Sequence, residues 1–140
     1  MQSKEKDNLI FIRLFPDEEI TDKIIKACKK HKVETAVVLS GIGQLKKVKV
    51  GYFKSKGNYV PEIFEKPTEL LSLSGNICKH NGNYIAHMHT VLGDQKKKVL
   101  GGHLIEGFVN ITAEIVLLKS GINISRKHDD ITRLMNLDLK

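Results

Sequence analysis

Residues 84–106, YIAHMHTVLGDQKKKVLGGHLIE, contain three of the chain's six histidines. The apolar segments 84–92 and 99–105 are typical of β-strands, and the polar residues between them are typical of a turn. Successive side chains of a strand point to opposite faces, so His87 and His89 lie on the same side. The stretch therefore predicts a β-hairpin with at least two imidazoles on one face.

His103 lies in the second of these strands, and its position depends on how the two strands pair. One antiparallel register sets it opposite His87 and another sets it opposite His89, whereas a shift by one residue turns it to the other face. In either favourable register three imidazoles converge, which suits a divalent metal such as zinc with one open coordination position. Gly101 and Gly102 favour this arrangement, because glycine lets backbones approach closely. The alternative is three half-buried polar side chains that bind backbone groups or water.

The composition predicts one folded domain over residues 1–140. The chain is long enough to bury a core, and 41% of its residues are hydrophobic. Its uncharged stretches are too short to cross a membrane, and the first residues, MQSKEKDN, lack the apolar region of a signal peptide. We therefore expect a cytoplasmic protein without a membrane segment. Cys28 and Cys78 do not have the spacing of a redox or zinc motif.

The net charge of +7 is concentrated in the first part of the chain, where residues 1–56 carry 13 Lys and Arg against 7 Asp and Glu. Such an excess attracts nucleic acids and other polyanions. However, 20 of the 23 basic residues are lysines, and arginine is the side chain that reads bases in a bidentate way. The charge therefore favours a lysine-rich surface over base-specific recognition.

The rest of the chain predicts one helix and several short strands. Acidic residues at 17–19 precede an apolar stripe of helical spacing that ends at His31, which we expect to interact with the carbonyls at the helix end. A strand over 33–40 leads into Gly41-Ile42-Gly43, which we interpret as a tight bend between strands, because the following residues alternate like a strand instead of opening a nucleotide-binding helix. Further strands are predicted at 8–15, 62–64, 69–74, 109–118, 122–127 and 132–139. This is an α+β domain with a mainly antiparallel sheet.

Six segments taken in order carry a family resemblance: LFPDEEI, GIGQLKKVKVGYF, ELLSLSGNI, HMHTVLGD, LGGHLIEG and TAEIVLL. With them the chain resembles the plants-and-prokaryotes-conserved (PPC) domain family. The resemblance implies an antiparallel sheet of about seven strands with packed helices, assembled as a homotrimer. It also implies that His87, His89 and His103 are the histidine cluster that forms a metal site in prokaryotic members.

The resemblance does not carry over every functional part of the family. Plant members join this domain to an Arg-Gly-Arg-Pro motif that enters the DNA minor groove, and that tetrapeptide does not occur in this sequence. They also use a Gly-Arg-Phe-Glu-Ile-Leu segment to bind partners, and residues 66–71 retain only Glu69 and Leu71 of it. Stand-alone prokaryotic members are described as DNA-binding by similarity, which is an analogy at the level of the fold.

Three functions remain open on the sequence, and we favour the first slightly over the second. The first is a trimeric module that associates with DNA or regulatory proteins and lacks the Arg-Gly-Arg-Pro motif, called an AT-hook, of the plant members. The second is a zinc-dependent enzyme or small-molecule-binding protein that uses the open metal position, with Glu69, Glu106 and Glu114 as candidate bases or partners of the ligands. The third is a structural trimer in which the histidines only pack. A cupin fold also carries a His-x-His pair, but Gly93, Asp94 and Gln95 occupy the positions after the pair where a cupin has a glutamate.

Overall fold

The computed structural model describes residues 1–139. Within this range it contains one α-helix, α1, and nine β-strands, numbered in chain order. The bounds are β1 Gln2–Lys6, β2 Leu9–Leu14, α1 Ile20–Lys30, β3 Thr35–Ser55, β4 Asn58–Phe64, β5 Thr68–His80, β6 Asn83–Gly93, β7 Val99–Lys119, β8 Ile124–His128 and β9 Met135–Leu139. No helix in this part of the chain has the length and apolar character needed to span a bilayer.

Seven of the strands form one antiparallel sheet in the order β1-β2-β7-β6-β5-β3-β4, and β8 pairs with β9 in a separate two-stranded sheet. An additional pairing of β3 with β7 closes β3, β5, β6 and β7 into a ring. The prediction of a mainly antiparallel sheet is confirmed. The expectation of several packed helices is not met in residues 1–139, because β-structure takes up most of this range.

The two longest strands, β3 and β7, each replace two predicted strands. We expected Gly41-Ile42-Gly43 to be a bend, but β3 runs through these residues with irregular register shifts on either side of them. Gly43 has φ +149°, and a β-carbon there would lie 2.7 Å from Cα of Ala113. The glycine therefore serves a β-bulge inside the strand rather than a turn between strands.

Helix α1 begins where the acidic residues predict. Glu19 is its N-cap, and the Glu19 carboxylate accepts a hydrogen bond of 2.7 Å from the Asp22 N–H. Its apolar stripe, including Cys28, is fully buried in the core. His31 forms the C-cap through its backbone N–H, but its imidazole lies 3.0 Å from both Glu5 and Ser3 instead of contacting the last carbonyls. The expected interaction of His31 with a carbonyl at the helix end is therefore made by its backbone N–H, while its imidazole has other partners.

The edge strand β1 was not predicted. Its residues, QSKEK, have no alternation of apolar and polar side chains. Residues Gln2–Lys6 nevertheless pair in regular antiparallel register with Leu9–Arg13 of β2. Backbone hydrogen bonds to an existing strand, which depend little on the side chains, account for this pairing.

The sheet has a core face, packed together with α1, and an opposite face that we call the outer face. On the outer face one row of side chains crosses five strands in register: Leu9, Leu118, Val37, Asn76 and His87. Leu9, Val37 and Leu118 are each between 36% and 39% exposed, so the apolar end of this row is open. The row therefore links an exposed apolar patch directly to the first of the predicted metal ligands.

Candidate metal centre

The three predicted histidines lie on the β6–β7 hairpin. His87 and His89 are on β6, and His103 on β7 lies directly opposite His89. Of the two favourable registers that the sequence allowed, this is the second. The turn is closed by Asp94, whose carboxylate accepts hydrogen bonds from the N–H groups of Lys96 and Lys98 at 2.8 and 2.9 Å. The hairpin thus sets all three imidazoles on the outer face of the sheet.

The Gly101-Gly102 pair allows β7 to approach strands on both sides. A β-carbon on Gly101 would lie well inside van der Waals distance of the Thr90 carbonyl oxygen on β6. A β-carbon on Gly102 would lie 2.9 Å from the Gly51 carbonyl oxygen on β3. The close backbone approach predicted from the sequence is therefore present, and it places His103 between its two neighbouring strands.

The spacing of the imidazoles fits a transition-metal ion. The Nε2 atoms of His87 and His89 are 3.3 Å apart, and one ligand nitrogen from each of the three rings lies within 4.8 Å of the others. Zinc–nitrogen bonds of about 2.0–2.1 Å in a tetrahedral site separate the nitrogens by about 3.3 Å. The first pair already has this separation. The role of the three as metal ligands remains a prediction.

The electrostatic surroundings favour neutral imidazoles. His87 keeps an exposed edge, but partial burial of its ring lowers its pKa, and the charges of Arg126 and His89 lower it further. Burial also lowers the pKa of His103, with smaller contributions from His87 and His89. A neutral imidazole has a free lone pair for a metal, so both residues are in the protonation state that ligation requires at neutral pH.

Tyr59 of β4 packs against the cluster. Its ring stands edge-on to the His103 ring, with centroids 5.9 Å apart and an angle of 85° between the planes. Gly51 lies opposite His103 on β3, and a β-carbon there would collide with the Tyr59 ring. The absence of a side chain at Gly51 therefore creates the space in which Tyr59 reaches His103.

Arg126 of β8 is a second neighbour of the cluster. It is only 4% exposed, and its Nη2 donates a hydrogen bond to Oδ1 of Asn76. Asn76 is the direct cross-strand partner of His87. The Arg126 Nη1 reaches the Met135 carbonyl oxygen at 3.5 Å, and Nε has no hydrogen-bond partner among residues 1–139. A buried guanidinium thus stands next to the histidines with part of its donor capacity unused.

The three candidate carboxylates are not in the cluster, which within residues 1–139 consists of the three histidines. Glu69 accepts a hydrogen bond of 2.6 Å from Gln44, and Glu106 lies 3.8 Å from the Lys47 ammonium. Glu114 pairs with Arg13 across β2 and β7 and lines a different pocket of the outer face. Each therefore has a neighbour that accounts for it without a role at the histidines.

Sequence reasoning missed Tyr59, Asn76 and Arg126. They come from β4, β5 and β8, which are distant along the chain from the histidine hairpin. Arg126 gave one signal: it alternates with Ile124 in a strand, and an arginine on an apolar face needs a partner for its charge. That signal does not identify the neighbours of the guanidinium, which only the packing of β8 on β5 determines.

Comparison with known proteins gives one family match. The model of the Plants and Prokaryotes Conserved (PCC) domain, the same family as the PPC domain, matches residues 1–120. Among curated proteins, the bifunctional protein GlmU of a Synechococcus strain is 28% identical over 131 residues. The match covers 92% of this chain but 20% of that protein, so the chain spans about a fifth of the length of the curated relatives it matches.

Three solved structures share the fold. A plant- and prokaryote-conserved protein from Pyrococcus horikoshii is 32% identical with a TM-score of 0.83, covering 99% of this chain and 95% of its own. A metal-containing protein from Archaeoglobus fulgidus is 28% identical with a TM-score of 0.84, covering 96% and 95%. A Bacteroides thetaiotaomicron protein with a provisional DNA-binding designation is 24% identical with a TM-score of 0.92, covering 99% and 96%, and shows likeness of fold alone.

Proposed function

Because the chain belongs to the Plants and Prokaryotes Conserved (PCC) domain family, we propose that it is a metal-binding member in which His87, His89 and His103 hold one divalent cation. Zinc is the cation that we propose. The observation that carries the proposal is the convergence of three ligand nitrogens within 4.8 Å on one exposed face. The metal-containing relative from Archaeoglobus fulgidus, which has the same fold, supports it.

The donor set favours zinc over harder cations. Three neutral imidazoles suit zinc, copper, iron or nickel, whereas calcium and magnesium take oxygen ligands. Three protein ligands leave one position for an exchangeable ligand, and a zinc ion there acts as a Lewis acid toward an oxygen atom. We therefore favour a small-molecule-binding or catalytic role at this centre over a purely structural role for the histidines.

The test is the metal content of protein purified without an affinity tag and without added metal. We expect about one zinc ion per chain by inductively coupled plasma mass spectrometry after dialysis, as a single three-histidine site requires. Zinc-depleted protein should take up one equivalent again. Protein that contains no transition metal and binds none on titration would contradict the proposal.

Association with DNA is the second candidate. Lys96, Lys97 and Lys98 are exposed at the tip of the histidine hairpin, and no ion pair involves them within residues 1–139. Several lysines of the basic N-terminal half are paired instead: Lys23 with Glu18, Lys46 with Asp17 and Lys47 with Glu106. The provisional DNA-binding designation of the Bacteroides thetaiotaomicron protein also motivates this candidate. The hairpin tip is the surface that we propose for phosphate contacts.

Replacement of Lys96, Lys97 and Lys98 by glutamine tests the second candidate. The slope of log affinity against log salt is negative, and each phosphate contact makes it steeper by about 0.9. The triple variant should therefore make the slope shallower by up to about 3. Fluorescence anisotropy of a labelled duplex between about 50 and about 200 mM salt measures it. The control replaces the helix-side lysines Lys26, Lys29 and Lys32. Equal slopes in both variants, or no binding by the wild type at low salt, would contradict the idea.

We also propose that the chain assembles as a homotrimer in the cytoplasm through its outer face. Phe11 is 60% exposed and Ile42 51% exposed, and both line an apolar pocket of about 370 Å³ on this face. Monomeric proteins rarely expose contiguous apolar patches of large area, which supports a covered interface here. The threefold state itself comes from the family resemblance.

Phe11→Lys tests the assembly, because a charge in the centre of the patch is costly to bury. We expect the wild type to have three times the monomer mass by light scattering after gel filtration, and the variant to have the monomer mass. Ile131→Lys is the control, since Ile131 is 80% exposed in the loop between β8 and β9. A wild type that stays monomeric at every concentration would refute the trimer.

A further inference from the structure

We propose that Arg126 makes the metal centre a binding site for a small oxyanion, a ligand that carries a carboxylate or phosphate group. This inference rests on the proposed function, since it names the class of ligand that the open metal position takes. Arg126 lies outside residues 1–120, which the family model matches. Family membership therefore does not supply this property.

The charge of Arg126 has no counter-charge among residues 1–139. The side chain is 4% exposed, and none of the ion pairs within residues 1–139 involves it. Taking a guanidinium out of water costs several kcal/mol in real proteins unless a counter-charge or a full set of acceptors replaces the water. Arg126 has two neutral acceptors, one of them at 3.5 Å, so most of that cost is uncompensated by the protein.

Arg126 lies beside the histidine cluster on the sheet. Arg126 donates to Asn76, and Asn76 faces His87 across β5 and β6. Directly opposed residues of an antiparallel pair have β-carbons about 4.5–5.5 Å apart. The guanidinium is therefore hydrogen-bonded to a side chain that is the direct neighbour of His87. A ligand bound at the centre would therefore lie near a cation whose remaining N–H groups have no acceptor among residues 1–139.

The guanidinium group of Arg126 is chemically suited to bind an oxyanion. A guanidinium presents its donors as a planar fork that matches the oxygens of carboxylate and phosphate groups. The unpaired Nε of Arg126 is one arm of such a fork. An oxyanion supplies both a metal ligand and a counter-charge for Arg126, whereas a neutral ligand supplies neither charge. Because Arg126 is buried on the β8–β9 hairpin, a small molecule suits this site better than the backbone of a DNA duplex.

The test follows the Nε–H signals of zinc-loaded, ¹⁵N-labelled protein by NMR during titration with inorganic phosphate and, separately, with sodium acetate. The chain has three arginines, Arg13, Arg126 and Arg133, so comparison with Arg126→Gln assigns the relevant signal at once. We expect the Arg126 signal to shift and the other two to stay in place. For the variants, backbone amides of residues 87–89 report the same binding.

Arg126→Gln should weaken binding of the oxyanion by about 10-fold to about 100-fold, the usual effect of losing charge-assisted hydrogen bonds. Arg133→Gln is the matched control, since it removes the same charge from an exposed residue in the loop between β8 and β9 and should leave binding unchanged. Arg126→Lys should fall between them, because it keeps the charge and loses the fork.

Asn76→Asp guards against a variant that fails to fold. It is nearly isosteric, keeps the acceptor for Arg126 and adds a negative charge that neutralises the guanidinium from within the protein. We expect it to retain zinc and thermal stability while its oxyanion binding falls at least about 10-fold, since the ligand now competes with an internal carboxylate.

The outcomes separate this inference from the proposed metal site. Zinc binding with no response of Arg126 to either anion, or equal anion affinity in the wild type, Arg126→Gln and Asn76→Asp, would overturn the oxyanion site and leave the metal site intact. No zinc binding, together with an Arg126 response that Asn76→Asp abolishes, would overturn the metal site and support the anion site alone.

Discussion

His89→Ala is expected to lower the zinc affinity at least about 100-fold, since even partners outside the ligand set of a metal cost 10-fold to 100-fold when they are removed. His89 contacts both other members of the cluster: its Nε2 is 3.3 Å from that of His87, and its ring faces His103 across the hairpin at 5.4 Å between centroids. Without it two imidazoles remain on different strands. Competition with a chromophoric chelator measures the change in dissociation constant.

His128→Ala provides the matched control. His128 is exposed at the end of β8 and lies 3.2 Å from Asp130, outside the cluster. The His128→Ala variant should bind zinc with the affinity of the wild type. That result would show that the loss in His89→Ala does not come from removing a histidine at an arbitrary position. If His89→Ala and His128→Ala bind zinc equally well, the metal ligands have been assigned incorrectly.

Gly75→Ala should destabilise the folded protein by more than about 3 kcal/mol, because a strained backbone and a steric collision act together. Gly75 has φ +152°, and a β-carbon there would lie 2.7 Å from Cα of Met88 and closer still to the His87 carbonyl oxygen. Strand β5 must move away from β6 at the residue that carries the first ligand. Urea denaturation measures the loss, and the zinc content of the variant should fall with it.

Two other glycines separate the two causes. A β-carbon on Gly121 has no atom within 4 Å, and Gly121 does not have a positive φ. Gly121→Ala should therefore have little effect on stability. Gly82→Ala also meets open space but has φ +80° in the turn between β5 and β6, so it should cost about 1 kcal/mol from backbone strain alone. A Gly75→Ala variant as stable as Gly82→Ala would show that the β5–β6 pairing tolerates the extra carbon.

The histidine hairpin could be predicted because its signals are local. The two apolar segments and the polar turn between them all lie within one short stretch. The choice between the two registers of His103 was not available from the same stretch. It depends on the pairing of β7 with β3, a strand distant along the chain, as well as with β6.

The long strands could not be predicted because glycine is ambiguous. In most sequences a Gly-x-Gly after an apolar run marks a turn, but in β3 the pairing with β7 holds the backbone extended through it. Arg126 and Tyr59 are a second limit, since their places beside the cluster depend on the packing of β8 and β4. Pattern in one strand does not determine which distant strand covers it.

The β6–β7 hairpin has a consequence for the order in which the protein folds. All three candidate ligands lie within residues 87–103, whereas closing the ring pairs Ala36 with Lys119. Closure of a short loop costs less entropy than closure of a long one, and short loops also form faster. A metal ion held by these candidate ligands would therefore link the two strands of the hairpin before the pairs distant in sequence form. In that sequence of events the ion would be a nucleus for the sheet, and Tyr59 and Arg126 would reach the cluster only when β4 and β8 pack against it.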